Sequence, residues 1–242
     1  MAEEKTALVV GAGDATGGAI ARRFAREGYF TCVTRRNADK LQPLIVRIEA
    51  EGGKARAFGS DARREEQVIA LIDTIERDIG PIEVAVYNVG GNVRFPIREM
   101  TSRVYFKTWE MGCFGGFLMG REVAKVMVPR GRGTIVFTGA TASLRGGVGF
   151  AAFAGAKHAL RALAQSMARE FGPLGIHVAH VVIDGAIDTP FMRENFPERY
   201  ALKEQHGILD PEAIAENYWR LHVQSKSAWT HELDLRPWIE KW

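Results

Sequence analysis

Short apolar runs alternate along the chain with longer stretches in which apolar residues recur every three or four positions. "TALVVG" (6–11), "FTCVT" (30–34), "KARAFGSD" (54–61), "IEVAVYNVGG" (82–91), "GTIVFTG" (133–139), "IHVAHVVIDG" (176–185) and "ELDLRP" (232–237) read as strands. Helical periodicity fills the gaps at 17–28, 38–53, 64–80, about 108–129, 150–172 and 211–225. In the first of these, Ile20, Phe24 and the alanines share a stripe, and Gly28 is placed to stop the helix. The 150–172 stretch carries a stripe of Ala156, Leu160, Leu163, Met167 and Phe171. This alternation predicts an α/β fold, a single-domain Rossmann-like doubly wound parallel sheet of about seven strands with helices on both faces. No linker, repeat or low-complexity tract divides residues 1–242, and 188–210 reads as a substrate-loop insertion. Ligands of such sheets bind beyond the C-terminal strand ends, where the strand order switches.

Charge narrows the partners. The chain carries 32 Lys and Arg against 29 Asp and Glu, a net charge of +3. That suits an anionic small molecule. The basic residues are interleaved with acids, and Arg22/Arg23, Arg35/Arg36 and Arg63/Arg64 lie far apart in sequence. Most of them read as solvated helix faces and loop edges, so no nucleic-acid partner is expected. The two cysteines, Cys32 and Cys113, have no metal-ligand spacing and read as free thiols, and no metal is expected. The opening "MAEEKTALVV" has no charged-then-apolar leader, and no run is long enough to span a bilayer. The expected place is the cytoplasm, with no membrane partner.

"VVGAGDATGGAIA" (9–21) is a glycine-rich passage from strand to helix. Glycines permit positive φ and let a pyrophosphate approach the N–H groups of a helix start. Thr16 breaks the G-x-G-x-x-G pattern, so the string alone fits a tight turn just as well. Taken with later landmarks, the chain resembles the short-chain dehydrogenase/reductase family over nearly its whole length. That family comprises Rossmann oxidoreductases that use NAD(H) or NADP(H). Its turn T-G-x-x-x-G-x-G becomes Val10, Gly11, Ala12, Gly13, Asp14, Ala15, Thr16 and Gly17, with Ala15 at the middle glycine. Asp61, followed by Ala62, matches the acid that meets the adenine amino group. "YNVGG" (87–91) resembles N-N-A-G and places Asn88, Val89 and Gly90 beside the cofactor. "DGAIDTP" (184–190) resembles P-G-x-x-x-T. Gly185 and Thr189 match, Asp184 replaces the proline, and Ile187 and Thr189 would face the nicotinamide carboxamide. The resemblance implies one NAD(P)-binding domain over 1–242 that assembles as a homodimer or homotetramer through the helices near 108–129 and 150–172.

An acid at the end of strand two would hold the ribose 2′-hydroxyl of NAD, and an arginine there would suit the 2′-phosphate of NADP. Thr34 stands at the acid's place, and Arg35 and Arg36 follow. Guanidinium groups pair well with phosphate. Asp14 opposes this, since a carboxylate at the first turn repels the extra phosphate. Two arginines outweigh one aspartate: NADP(H) is preferred and NAD(H) remains possible.

The family's catalysis runs on Asn, Ser, Tyr and Lys. Lys157 matches the lysine. Phe153, one turn earlier, takes the tyrosine's place, Ala140 the serine's and Gly112 the asparagine's. A phenylalanine fills the tyrosine's volume and has no proton to give. Candidate replacements near the same edge are Thr138, Thr141, Ser143, Asn92, Tyr87, His158 and Asp184. Asp184 reads foremost as a solvated turn residue, with a desolvated acid as the alternative. Water held by Lys157 is a further source.

Three functions follow. The first is an NADP(H)-dependent oxidoreductase moving a hydride to or from a small apolar carbonyl or enoyl substrate. The second is a catalytically silent NADP(H)-binding sensor or partner subunit. The third is a scaffold that no longer holds a nucleotide. Phe191, Met192, Phe196 and Tyr200 could line a lid or simply pack on the body. Trp229, Trp238 and Trp242 near the C-terminus call for burial, which a subunit contact would supply.

Overall fold

The computed structural model describes residues 4–241, so Trp242 lies outside the described residues. Seven strands follow one another as β1 (Thr6–Val10), β2 (Phe30–Arg35), β3 (Lys54–Gly59), β4 (Ile82–Tyr87), β5 (Gly133–Thr138), β6 (Ile176–Ile183) and β7 (Glu232–Leu235). They pair in parallel in the order β3-β2-β1-β4-β5-β6-β7. The central strands are buried on both faces, which explains their unbroken apolar runs. Along β1, Ala7 and Val9 enter one core while Leu8 and Val10 enter the other.

The helices are α1 (Thr16–Arg26), α2 (Gln42–Ala50), α3 (Glu65–Asp78), α4 (Ser102–Trp109), α5 (Gly115–Met127), α6 (Ala151–Phe171), α7 (Pro190–Asn195), α8 (Pro197–Tyr200) and α9 (Pro211–His222). On one face α1, α2 and α9 bury Phe24, Ile45, Ile48, Tyr218 and Leu221. On the other, α3, α5 and α6 bury Ile72, Ile75, Leu118, Val123, Leu160 and Met167. Gly28 ends α1 at φ +83°, its N–H bonded to the Ala25 carbonyl at 3.0 Å. No helix among the described residues is long and apolar enough to cross a membrane.

Three expectations are corrected. The helix expected over 108–129 is two helices, α4 and α5, joined by a π-helical turn at Glu110–Phe114. Arg22 is not a solvated face residue: it is buried, lies 3.6 Å from Glu51 and bonds Glu212. Leu163 and Phe171 of the α6 stripe are only half-buried, unlike Ala156, Leu160 and Met167.

The strand order reverses between β1 and β4. Val10 is level with Thr34 on one side and with Tyr87 on the other. The exits of β1, β2 and β4 therefore open together at one edge, where a doubly wound sheet binds its ligands.

Candidate active site

The first turn is tied to its neighbours through backbone. Gly11 takes φ +86°, and a Cβ there would stand 2.8 Å from the Asn88 carbonyl oxygen. A Cβ on Gly17 would meet the Gly11 oxygen at 2.6 Å. Asn88 donates from Nδ2 to that same oxygen at 3.1 Å, so it steadies the turn. The Gly11 and Ala12 N–H groups donate to the Thr34 carbonyl at 3.2 Å each. Above Gly13 and Gly90, by contrast, a Cβ would find nothing within 4 Å. Ala15, at the N-cap of α1, places no side chain on the first N–H groups of the helix. Close backbone below, open space above and uncapped donors fit a pyrophosphate. Ala15 is itself half-buried and Asp14 exposed.

The rim is basic. Arg35 at the end of β2 is half-buried and Arg36 is exposed. Asp61, the residue expected at adenine, is engaged by Arg63. Nε reaches Oδ1 at 2.9 Å and Nη2 reaches Oδ2 at 2.6 Å. These bonds hold the Asp61 carboxyl down at about 2. Ala62 beside it is half-buried.

Lys157 is 3 % exposed. Its ammonium donates to the Thr138 carbonyl at 2.8 Å and to the Val89 carbonyl at 3.3 Å. An ammonium has three donors, so one remains for a ligand. Burial pushes the lysine down to about 8. Phe153 is half-buried, with its ring centroid 6.0 Å from Nζ. Gly112 lies in the π-helical turn, where a Cβ would come within 2.7 Å of the Ala156 Cβ. Gly112, expected at the asparagine's place, is thus a point of helix contact.

Asp184 corrects the expectation of a solvated turn residue: it is 1 % exposed. Thr141, just past Ala140, donates from Oγ1 to its Oδ1. Its Oδ2 faces Arg145 at 3.5 Å and Arg236 at 3.8 Å. The sequence flagged Asp184 because it replaces a proline, but nothing flagged Arg145 or Arg236. His180, also missed, is buried behind the turn with Nδ1 3.1 Å from Glu232, which Arg161 grips at 2.6 Å through both oxygens. Its Nε2 points at Gly139, where a Cβ would stand 2.4 Å away.

Among the other candidate proton donors, Tyr87, Thr138 and Ser143 are buried, whereas His158 and Asn92 are exposed. Tyr87 lies in the core and donates to the Met111 carbonyl at 2.5 Å. The Thr138 hydroxyl pairs with the Tyr218 hydroxyl at 2.8 Å, away from the cleft. Ser143 is wholly buried and accepts from the Ala140 N–H at 3.1 Å. His158 is exposed, with Nδ1 at 2.9 Å from the Ala154 carbonyl of its own helix. Asn92 lies exposed in the loop after β4.

The 188–210 segment closes on itself at its base. Asp188 meets Lys203 at 2.7 Å, and Ile187 bridges to Leu209. Thr189 spends its hydroxyl on capping α7, accepting from the Met192 N–H at 3.1 Å. Phe191 remains 63 % exposed and meets Phe196 edge-on at 5.9 Å. Gly185 turns at φ +151° under Pro237. Trp229 stacks on His177 at 4.9 Å, whereas Trp238, expected to be buried, is 76 % exposed in the single chain.

A match to the short chain dehydrogenase family covers residues 5–200. Gluconate 5-dehydrogenase of Gluconobacter oxydans (strain 621H) is 33 % identical over 172 residues, 71 % of this chain and 67 % of that one. The 2,3-dihydro-2,3-dihydroxybenzoate dehydrogenase of Bacillus subtilis (strain 168) is 30 % identical over 188 residues, 77 % of this chain and 71 % of that one. Among solved structures, a short-chain dehydrogenase from Rhodopseudomonas palustris is 49 % identical with a TM-score of 0.82, covering 97 % of this chain and 99 % of that one. A metagenomic short-chain oxidoreductase solved with NADP shares the fold at 23 % identity and a TM-score of 0.82, covering 96 % of this chain and 97 % of that one.

Proposed function

Because the chain belongs to the short-chain dehydrogenase family, we propose that it is an NADP(H)-dependent oxidoreductase acting on a small carbonyl, enoyl or alcohol substrate. Lys157 is the retained member of its catalytic set. A bound nicotinamide supplies or takes up the hydride. The glycine turn and the start of α1 hold the pyrophosphate, Arg35 and Arg36 the 2′-phosphate, and Asp61 with Ala62 the adenine side. Val89, Gly90, Ile187 and Thr189 border the nicotinamide end. The remaining donor of Lys157 binds the nicotinamide ribose. Phe153 keeps water from the cleft and gives no proton.

The observation that carries this reading is the buried Lys157 ammonium, tied to two strand exits with one donor left over. Burying an ammonium is costly, and a merely structural helix position would not need one. A silent nucleotide sensor has less support, because the relatives this chain matches are named dehydrogenases. The proposal includes a cytoplasmic homodimer or homotetramer. The stacked row of Phe106, Trp109, Phe114 and Phe117 along α4 and α5 supports such a contact.

The test is a turnover screen with NADP(H) and NAD(H) over carbonyl, enoyl and alcohol substrates, run beside Lys157→Ala. Turnover that disappears in the variant supports the reading. No turnover with any substrate in the native chain would contradict it.

A further inference from the structure

The family's serine and tyrosine places carry no hydroxyl here, yet Thr141 carries one a single residue beyond Ala140. Its proton is already committed to Asp184 Oδ1. Asp184 is buried, and its Oδ2 makes no hydrogen bond while facing the guanidinium groups of Arg145 and Arg236. A carboxylate so placed only accepts. Thr141 is half-buried and Arg145 exposed, so both stand between Asp184 and solvent. A hydroxyl that gives its proton inward offers only lone pairs outward. Such an oxygen receives a hydrogen bond from an alcohol and has nothing to donate to a carbonyl.

Resting on the oxidoreductase reading, we infer that Thr141 and Asp184 form the base that takes a substrate hydroxyl's proton, so that the physiological direction is alcohol oxidation. The substrate O–H proton passes to Thr141 Oγ1 as the Thr141 proton passes to Asp184 Oδ1. The C–H hydride leaves to an oxidised nicotinamide nucleotide, and the C=O bond forms from the O–H electron pair. Thr141 is the catalytic residue that touches substrate, and Asp184 acts through it.

The test uses hexafluoroisopropanol, an alcohol that resists oxidation, at low millimolar concentration. Its binding to the full chain with NADP⁺ is followed by fluorine NMR. The native chain should give a saturable shift. Thr141→Val and Asp184→Asn should weaken binding about tenfold or more, the loss of a hydrogen bond to a charged network. Thr141→Ser, which keeps the hydroxyl, should bind like the native chain, and this pair suffices if Asp184→Asn fails to fold. Equal binding by all variants, or no saturable shift in the native chain, overturns the inference. NADP⁺ binding is measured by tryptophan fluorescence on the same samples. If NADP⁺ binds all of them alike while the alcohol ignores the dyad, the dyad alone is wrong. If NADP⁺ does not bind the native chain, the oxidoreductase reading falls and takes the inference with it.

Discussion

The Lys157 ammonium lies 6.0 Å from the centre of the Phe153 ring, one helical turn away, as a lysine would lie beside a tyrosine that had lost its hydroxyl. The ring occupies the space and the charge waits beside it. Hydroxyls added at these positions should therefore supply a general acid for the reducing direction. Phe153→Tyr combined with Ala140→Ser is expected to raise carbonyl reduction by roughly 10²-fold, the lower end of what a positioned general acid contributes. Steady-state kinetics of the double variant against the native chain checks this, and an unchanged rate counts against the site.

Gly112, the position expected for the asparagine, should resist the same kind of substitution. A Cβ at Gly112 would come within 2.7 Å of the Ala156 Cβ, where α6 presses on the π-helical turn. Gly112→Asn should cost about 1–3 kcal/mol by overpacking. Thermal unfolding should show a lower melting temperature for it than for Ala140→Ser.

Lys157→Met should separate function from stability. The substitution removes a buried charge and keeps an unbranched side chain of similar length, so the melting temperature should hold or rise. Nucleotide affinity should fall. In the native chain, affinity should also decline as pH rises through about 8, where the buried ammonium loses its proton. Fluorescence titrations at pH 7 and pH 9 read this directly.

His180 and His222 make the fold acid-sensitive. Burial holds each down at about 4, against 6.5 in the unfolded chain. The folded state thus binds their protons more weakly than the unfolded state does. The stability they contribute is complete above pH 6.5 and is lost as pH falls towards 4, roughly 3 kcal/mol for each. Calorimetry should record a falling melting temperature from pH 7 to pH 5. His222→Asn, which leaves one of the two groups titrating, should flatten that slope.

Much of the fold was legible because its strands are buried on both faces and so appear as unbroken apolar runs, as in β1, β4 and β6. The glycine turn, Asn88 and Lys157 were legible as a spaced motif. The start of α4 was not. Tyr105 and Phe106 are exposed there, so the helix shows little inward stripe, and the π-helical turn then shifts the periodicity by a residue. The burial of Asp184 was equally hidden. Its partners Thr141, Arg145 and Arg236 come from other strand exits, and an aspartate beside a glycine reads locally as a turn. The burial of Arg22 is hidden in the same way, since Glu212 reaches it from a distant helix.

A 2′-phosphate held by Arg35 and Arg36 would set the nucleotide choice. Fluorescence titration of the native chain with NADPH and with NADH, repeated on Arg35→Ala/Arg36→Ala, measures it. NADPH is expected to bind much more tightly than NADH, and the double variant is expected to remove the difference. Loss of one charge-assisted phosphate contact is worth about tenfold. Binding of neither nucleotide by the native chain would rule out the oxidoreductase reading.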